Sequence, residues 1–152
     1  MSLKDQIGED IKAAMKAKDK IRLETVRSIK KVLLEKEVSL RPQGQDSLTT
    51  EQEIELLSQQ AKQRKDSIEQ YQNAGRLDLA EKESQELAII QTYLPKQISD
   101  QELEVIISEI ITTLGASSVK DLGKVMGSAI KQLKGQADGK KIEQIVKAKL
   151  SA

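Results

Sequence analysis

Three features of the 152-residue sequence predict an all-α fold. Apolar residues recur at spacings of three and four along nearly the whole chain, capping residues open successive runs, and no segment has the period-two alternation of a half-buried strand. The composition agrees: 38% apolar and 32% charged residues are the proportions of a soluble helical protein. Tyr71 and Tyr93 are the only aromatics, so the core has to be assembled from Leu, Ile, Val, Ala and Met. That favours several thin helical layers over one large core.

The first helix follows Ser2, with Asp5 three residues on, and its apolar stripe is Leu3, Ile7, Ile11, Ala14 and Met15. Asp19 caps a second helix that buries Val26, Ile29 and Leu33 and runs to about Val38. Residues 39–49 carry a proline and a glycine with little to bury, and read as a mobile loop. Thr50 with Glu53 is a capping box for a third helix with Ile54, Leu57, Ala61, Ile68 and Tyr71 in register; it stops at Gly75. Ala80, Leu87, Ile90 and Leu94 continue the pattern after a short turn, so the third and fourth helices are expected to pack antiparallel.

Pro95 disfavours helix at Leu94 and beyond, and Ser99 with Glu102 opens the next run through a second box. Leu103, Ile106, Ile107, Ile110 and Leu114 form its inner side and Gly115 its end. Two more helices follow, over about 118–134 and 139–150, the last burying Ile142, Ile145, Val146 and Leu150. The expected architecture is a four-helix N-terminal domain over residues 1–97 and a three-helix basic domain over 98–152.

Cysteine and histidine are both absent, which removes thiolate nucleophiles, imidazole bases, disulfides and ordinary zinc sites. No metal and no cofactor is expected. The N-terminus has no signal-peptide core, and no stretch approaches the ~20 apolar residues of a membrane span, so the expected location is cytoplasmic.

The net charge of +1 conceals an uneven distribution. Residues 1–97 carry 17 bases and 17 acids, 98–114 four acids and no base, and 115–152 eight lysines against three acids. On a helix over 118–134, Lys120, Lys124, Lys131 and Lys134 share an arc of roughly 80° with Gly127. Val119, Leu122, Met126, Ala129, Ile130 and Leu133 form the side expected to be buried, with Gly123 admitting a neighbouring helix. No acid lies between Asp121 and Asp138, so these lysines lack i, i+4 partners. Gly127, costing about 1 kcal/mol relative to alanine inside a helix, leaves room for a polyanion to approach the backbone. The stripe suits a plain solvated face, phosphate contact, or a protein partner. Lys140 and Lys141 extend it within "GQADGKK", where Asp138 reads as a helix cap; the spacing of a phosphate-binding loop is not met.

The segments A-G-R-x-D-L-A (74–80), Y-L-P-x-Q (93–97), G-K-V-M-G (123–127) and K-G-x-A-D-G-K (134–140) closely resemble the GatB/YqeY family, in particular its free-standing YqeY-like members. The resemblance covers essentially the whole chain. It implies a four-helix bundle joined to a three-helix bundle, related to the C-terminal tail of the B subunit of tRNA-dependent amidotransferase. There the tail is regarded as recognising the tRNA body, with kinase and transamidation chemistry in a catalytic domain that this chain lacks. The chain departs from that tail in having Asp138-Gly139 where an Asn-Pro pair is typical.

The expected function is therefore non-catalytic binding of tRNA or other structured RNA through Lys120, Lys124, Gly127, Lys131, Lys134, Lys140 and Lys141. Two alternatives stand beside it. One is a carbon-nitrogen ligase activity or subunit with glutamine as amide donor; the sequence offers no catalytic constellation for it, the one Ser-Ser pair, Ser117-Ser118, reading as a cap. The other is a helical adaptor that binds an amidotransferase or an aminoacyl-tRNA synthetase through the N-terminal helices.

Overall fold

Local capping chemistry sets most helix starts. A computed structural model describes residues 1–151, and among them are seven α-helices and no strand: α1 (Leu3–Ala17), α2 (Lys20–Leu40), α3 (Thr50–Asn73), α4 (Leu77–Gln91), α5 (Asp100–Leu114), α6 (Leu122–Gln132) and α7 (Gly139–Ser151). Ser2 and Asp5 form the predicted box at α1, and the Asp19 side chain accepts from the Arg22 N–H at α2. Ser99 accepts from the Glu102 N–H at α5. The cap of α3 lies one residue earlier than Thr50: Thr49 is extended and pairs with Gln52, whose Oε1 also accepts from Gln45 Nε2 at 2.6 Å. That second anchor holds Gln52 in the reciprocal position in place of Glu53. The preceding segment is not structureless, since α2 continues to Leu40 and a 3-10 turn covers Arg41–Gln43 before Gly44 at φ 84°.

Contacts divide the chain into two compact units, Met1–Leu94 and Pro95–Ala152; residue 152 of the predicted basic domain lies outside the described residues. In the first unit α3 packs along α4, α1 along α2, and α2 also against α3 and α4. Ile7, Val26, Ile29, Leu57, Ala61 and Ile90 are its centre. Met15, assigned to the buried stripe from periodicity, is 54% exposed: the buried positions of α1 are Ile7 and Ala14, and the next residue lies about 100° around the helix from Ala14. Tyr93 packs on this core and its hydroxyl donates to the Asp10 carboxylate, joining the segment after α4 to α1. Burial, reinforced by that bond, pushes the Tyr93 phenol above its ordinary value. Replacing Tyr93 by Phe is expected to cost about 1.5 kcal/mol, the low end for a bond to a charged group, because half-exposed Asp10 regains water. Thermal unfolding of the variant should shift down by several degrees.

In the second unit α5, α6 and α7 all touch one another around Leu103, Ile107, Val125, Ala129, Ile142 and Val146. Residues 95–98 cluster here because they are tied to the segment after α6. Gln97 Nε2 donates to the carbonyl of Gly135 at 2.6 Å, and the Ile98 N–H donates to the carbonyl of Gln136 at 2.9 Å. Two of the sequence segments that carry the family resemblance, Y-L-P-x-Q and K-G-x-A-D-G-K, therefore meet through backbone carbonyls.

Candidate nucleic-acid interface

The lysine-bearing segment is not one helix over 118–134. Ser118 and Asp121 form a capping box around a 3-10 turn, Val119–Asp121, and α6 begins only at Leu122. The Asp121 carboxylate accepts from the N–H groups of Ser117 at 3.0 Å and Ser118 at 3.4 Å. Those two bonds, with a smaller contribution from the Lys124 charge, hold its pKa below the ordinary value. At the other end α6 stops at Gln132, and Gly135 takes φ 78° to turn the chain. The 80° arc of four lysines on a single helix is thus corrected: only Lys124 and Lys131 lie on α6, with Lys120 on the tighter turn before it and Lys134 on the turn after it.

The inner face of α6 differs in detail as well. Val125 is fully buried, as are Ala129 and, just beyond the helix, Leu133, whereas Val119 and Ile130 are 52% and 45% exposed. Periodicity placed Ala129 and Leu133 on the buried side but left out Val125, because the edges of the stripe depend on how far α5 and α7 reach around the helix. Gly123 does not admit a neighbouring helix: a Cβ built there meets nothing within 4 Å, and the same holds at Gly127. Both glycines are exposed on α6, and neither has a packing reason in the fold.

The predicted site residues fall into two groups. Lys120, Lys124, Lys131 and Lys140 are exposed, and α6 itself contains no acidic residue. Lys124 Nζ makes a long bond, 3.4 Å, to the carbonyl of Leu114, and its charge acts weakly on Asp121. Lys141 is not uncompensated: its Nζ lies 2.8 Å from Asp100 Oδ2 at the start of α5, a pairing across 41 positions that periodicity could not show. Lys134 is half-buried and already engaged. Asp138 caps α7 as predicted, its Oδ1 accepting from the Lys140 N–H at 3.2 Å, so this acid is occupied with backbone close to the lysines.

Gln97 was missed as a positioning residue. Its bond to Gly135 holds the turn between Lys134 and Lys140, and the signal available was the polar side chain two residues after Pro95 in a conspicuous segment. No group of acids suited to a metal ion occurs among the described residues. Ser117 and Ser118 use their N–H groups on Asp121, as a cap does. No helix among the described residues is long and apolar enough to cross a membrane.

Comparison with known proteins returns one family and a set of fungal relatives. The chain is 31% identical over 147 residues to altered inheritance of mitochondria protein 41, mitochondrial, from Pyrenophora tritici-repentis, covering 92% of this chain and 78% of that protein. It is 35% identical to the protein of that name from Vanderwaltozyma polyspora, covering 75% of this chain and 63% of the relative, and 30% identical to the one from Kluyveromyces lactis, covering 95% and 74%. These names overturn the cytoplasmic expectation. Hydropathy bears on secretion and insertion alone, and does not separate the compartments that proteins reach by other routes. A family model described as Yqey-like protein matches residues 4–150, nearly the whole of the seven-helix chain. The chain therefore belongs to the YqeY-like family.

Proposed function

We propose that the chain is a non-catalytic binding protein for structured RNA, with tRNA as the ligand. In this reading a four-helix bundle is followed by a three-helix bundle whose exposed lysines meet the phosphates. The observation that carries it is the set Lys120, Lys124, Lys131 and Lys140, all exposed around an α6 that has no acid of its own. Lys134 and Lys141 are subsidiary contacts, since each already has a partner. No arginine or aromatic lies in the segment, so recognition rests on phosphate positions and RNA shape, with little base discrimination. By likeness to the relatives named above, the proposed setting is mitochondrial.

Titrating labelled tRNA at several salt concentrations tests the reading. Four engaged phosphates give a log-log slope of about −2.8 to −3.6, and roughly a 50- to 150-fold loss of affinity between 50 and 200 mM salt. Absence of binding at low salt overturns the reading.

Gly127 offers an independent check. Gly127→Ala is expected to stabilise the second unit by about 0.5–1 kcal/mol, because the site is mid-helix and the added methyl meets nothing within 4 Å. The same methyl stands where the RNA backbone would approach, so affinity for tRNA should fall several-fold while the melting temperature rises. A variant that is more stable and binds equally well would remove Gly127 from the interface.

A further inference from the structure

Two lysines, Lys140 and Lys141, stand in the first turn of α7, and that turn contains no acid. The start of a helix favours negative charge, so cations placed there weaken the helix and strengthen its attraction for an anion. Asp138 offsets part of this by accepting from the Lys140 N–H. A second carboxylate comes from another helix of the same unit: Asp100 Oδ2 lies 2.8 Å from Lys141 Nζ.

The fold carries that carboxylate to the lysine. The Ile98 N–H donates to the carbonyl of Gln136 at 2.9 Å, and Gln97 Nε2 donates to that of Gly135 at 2.6 Å. The residues two and three before Asp100 are thus fastened to the turn that leads into α7. Asp100 is itself the first residue of α5, where the helix start favours its charge with or without a lysine beside it. The contact is nonetheless open to exchange. Lys141 is 46% and Asp100 71% exposed, and ion pairs at such positions are weak and screened by salt. Asp121, by contrast, directs its carboxylate to the N–H groups of Ser117 and Ser118.

We propose that Asp100 competes with RNA for Lys141. In the free protein the carboxylate holds the lysine and withholds it from phosphate, so the surface binds with one contact fewer than its lysines offer. This inference rests on the RNA reading above and adds an internal regulator to the same site. Its signature is a gain: removing the Asp100 charge strengthens binding, whereas damage to the fold or loss of a lysine weakens it.

Titrating labelled tRNA against full-length wild type, Asp100→Asn, Lys141→Ala and the double variant, at several salt concentrations, tests the competition. Asp100→Asn should tighten binding about 1.5- to 5-fold at low salt, the range of an exposed ion pair. It should also steepen the log-log slope to about −3.5 to −4.5, one phosphate beyond the wild type. In the Lys141→Ala background the same substitution should leave the slope unchanged, because no lysine is released. Ser99 still caps α5 in these variants, so circular dichroism should show the helices retained. A wild-type slope in folded Asp100→Asn, or equal steepening without Lys141, overturns the proposal and leaves the RNA reading intact. Absence of binding by the wild type at low salt overturns both.

Discussion

Reversing Lys124 and Lys131 to Glu is expected to abolish tRNA binding at salt concentrations where the wild type binds readily. Both side chains are exposed, and neither contributes to the second core. Lys124 gives up its long bond to Leu114 and a small attraction to Asp121, both at exposed positions, so helix content and melting temperature should change little. Neutral replacement by Ala gives the quantitative form: with Lys120 and Lys140 remaining, the salt slope should fall to about −1.4 to −1.8, or roughly a 7- to 12-fold loss between 50 and 200 mM. Reversal does more than removal, because each Glu repels a phosphate that the lysine attracted. Lys12→Glu, on exposed surface of the first unit, is the control and should leave binding almost unchanged. If the α6 reversal and the control behave alike, general charge and not the α6 surface is responsible.

Ile107→Ala should unfold the second unit while sparing the first. Ile107 is fully buried at the centre of the cluster that α5, α6 and α7 share, and removing its side chain from such a site costs about 2–5 kcal/mol. A unit of fewer than 60 residues has only about 3–9 kcal/mol of stability at the usual 0.05–0.15 per residue, so the loss is comparable with the whole. The first core is a separate set of residues, centred on Val26, Ile29 and Ile90. Hydrogen exchange read by mass spectrometry should therefore show lost protection over α5 to α7 and near-native protection over α1 to α4. Equal loss in both would mean that the two cores unfold as one.

What could be read from the chain followed the range of the interactions involved. The caps at Ser2, Asp19, Ser99 and Asp138 act within two or three residues, and each was legible. The division of the 118–134 segment was also written locally, since Ser118 and Asp121 have capping-box spacing, but the stronger helical periodicity obscured it. Thr49 prevailed over Thr50 through Gln45, seven residues from its partner Gln52, where competing short patterns look equivalent. The exposure of Val119 and Ile130, the free space beside Gly123, and the Lys141–Asp100 pair all depend on neighbours that periodicity does not place.

By itself the sequence determined that this protein is helical, where most helices begin, which side of each is apolar, and that positive charge accumulates toward its C-terminal end. Those properties follow from backbone hydrogen bonding, side-chain period and composition, all of which act over a few residues. The tertiary structure alone decided which lysines remain available. Lys141 meets Asp100 only because α7 packs against α5, and the turn before Lys140 is held because Gln97 and Ile98 reach the carbonyls of Gly135 and Gln136. An ion pair or a tether between distant positions forms when packing brings its members within a few ångströms, and no local pattern records that distance.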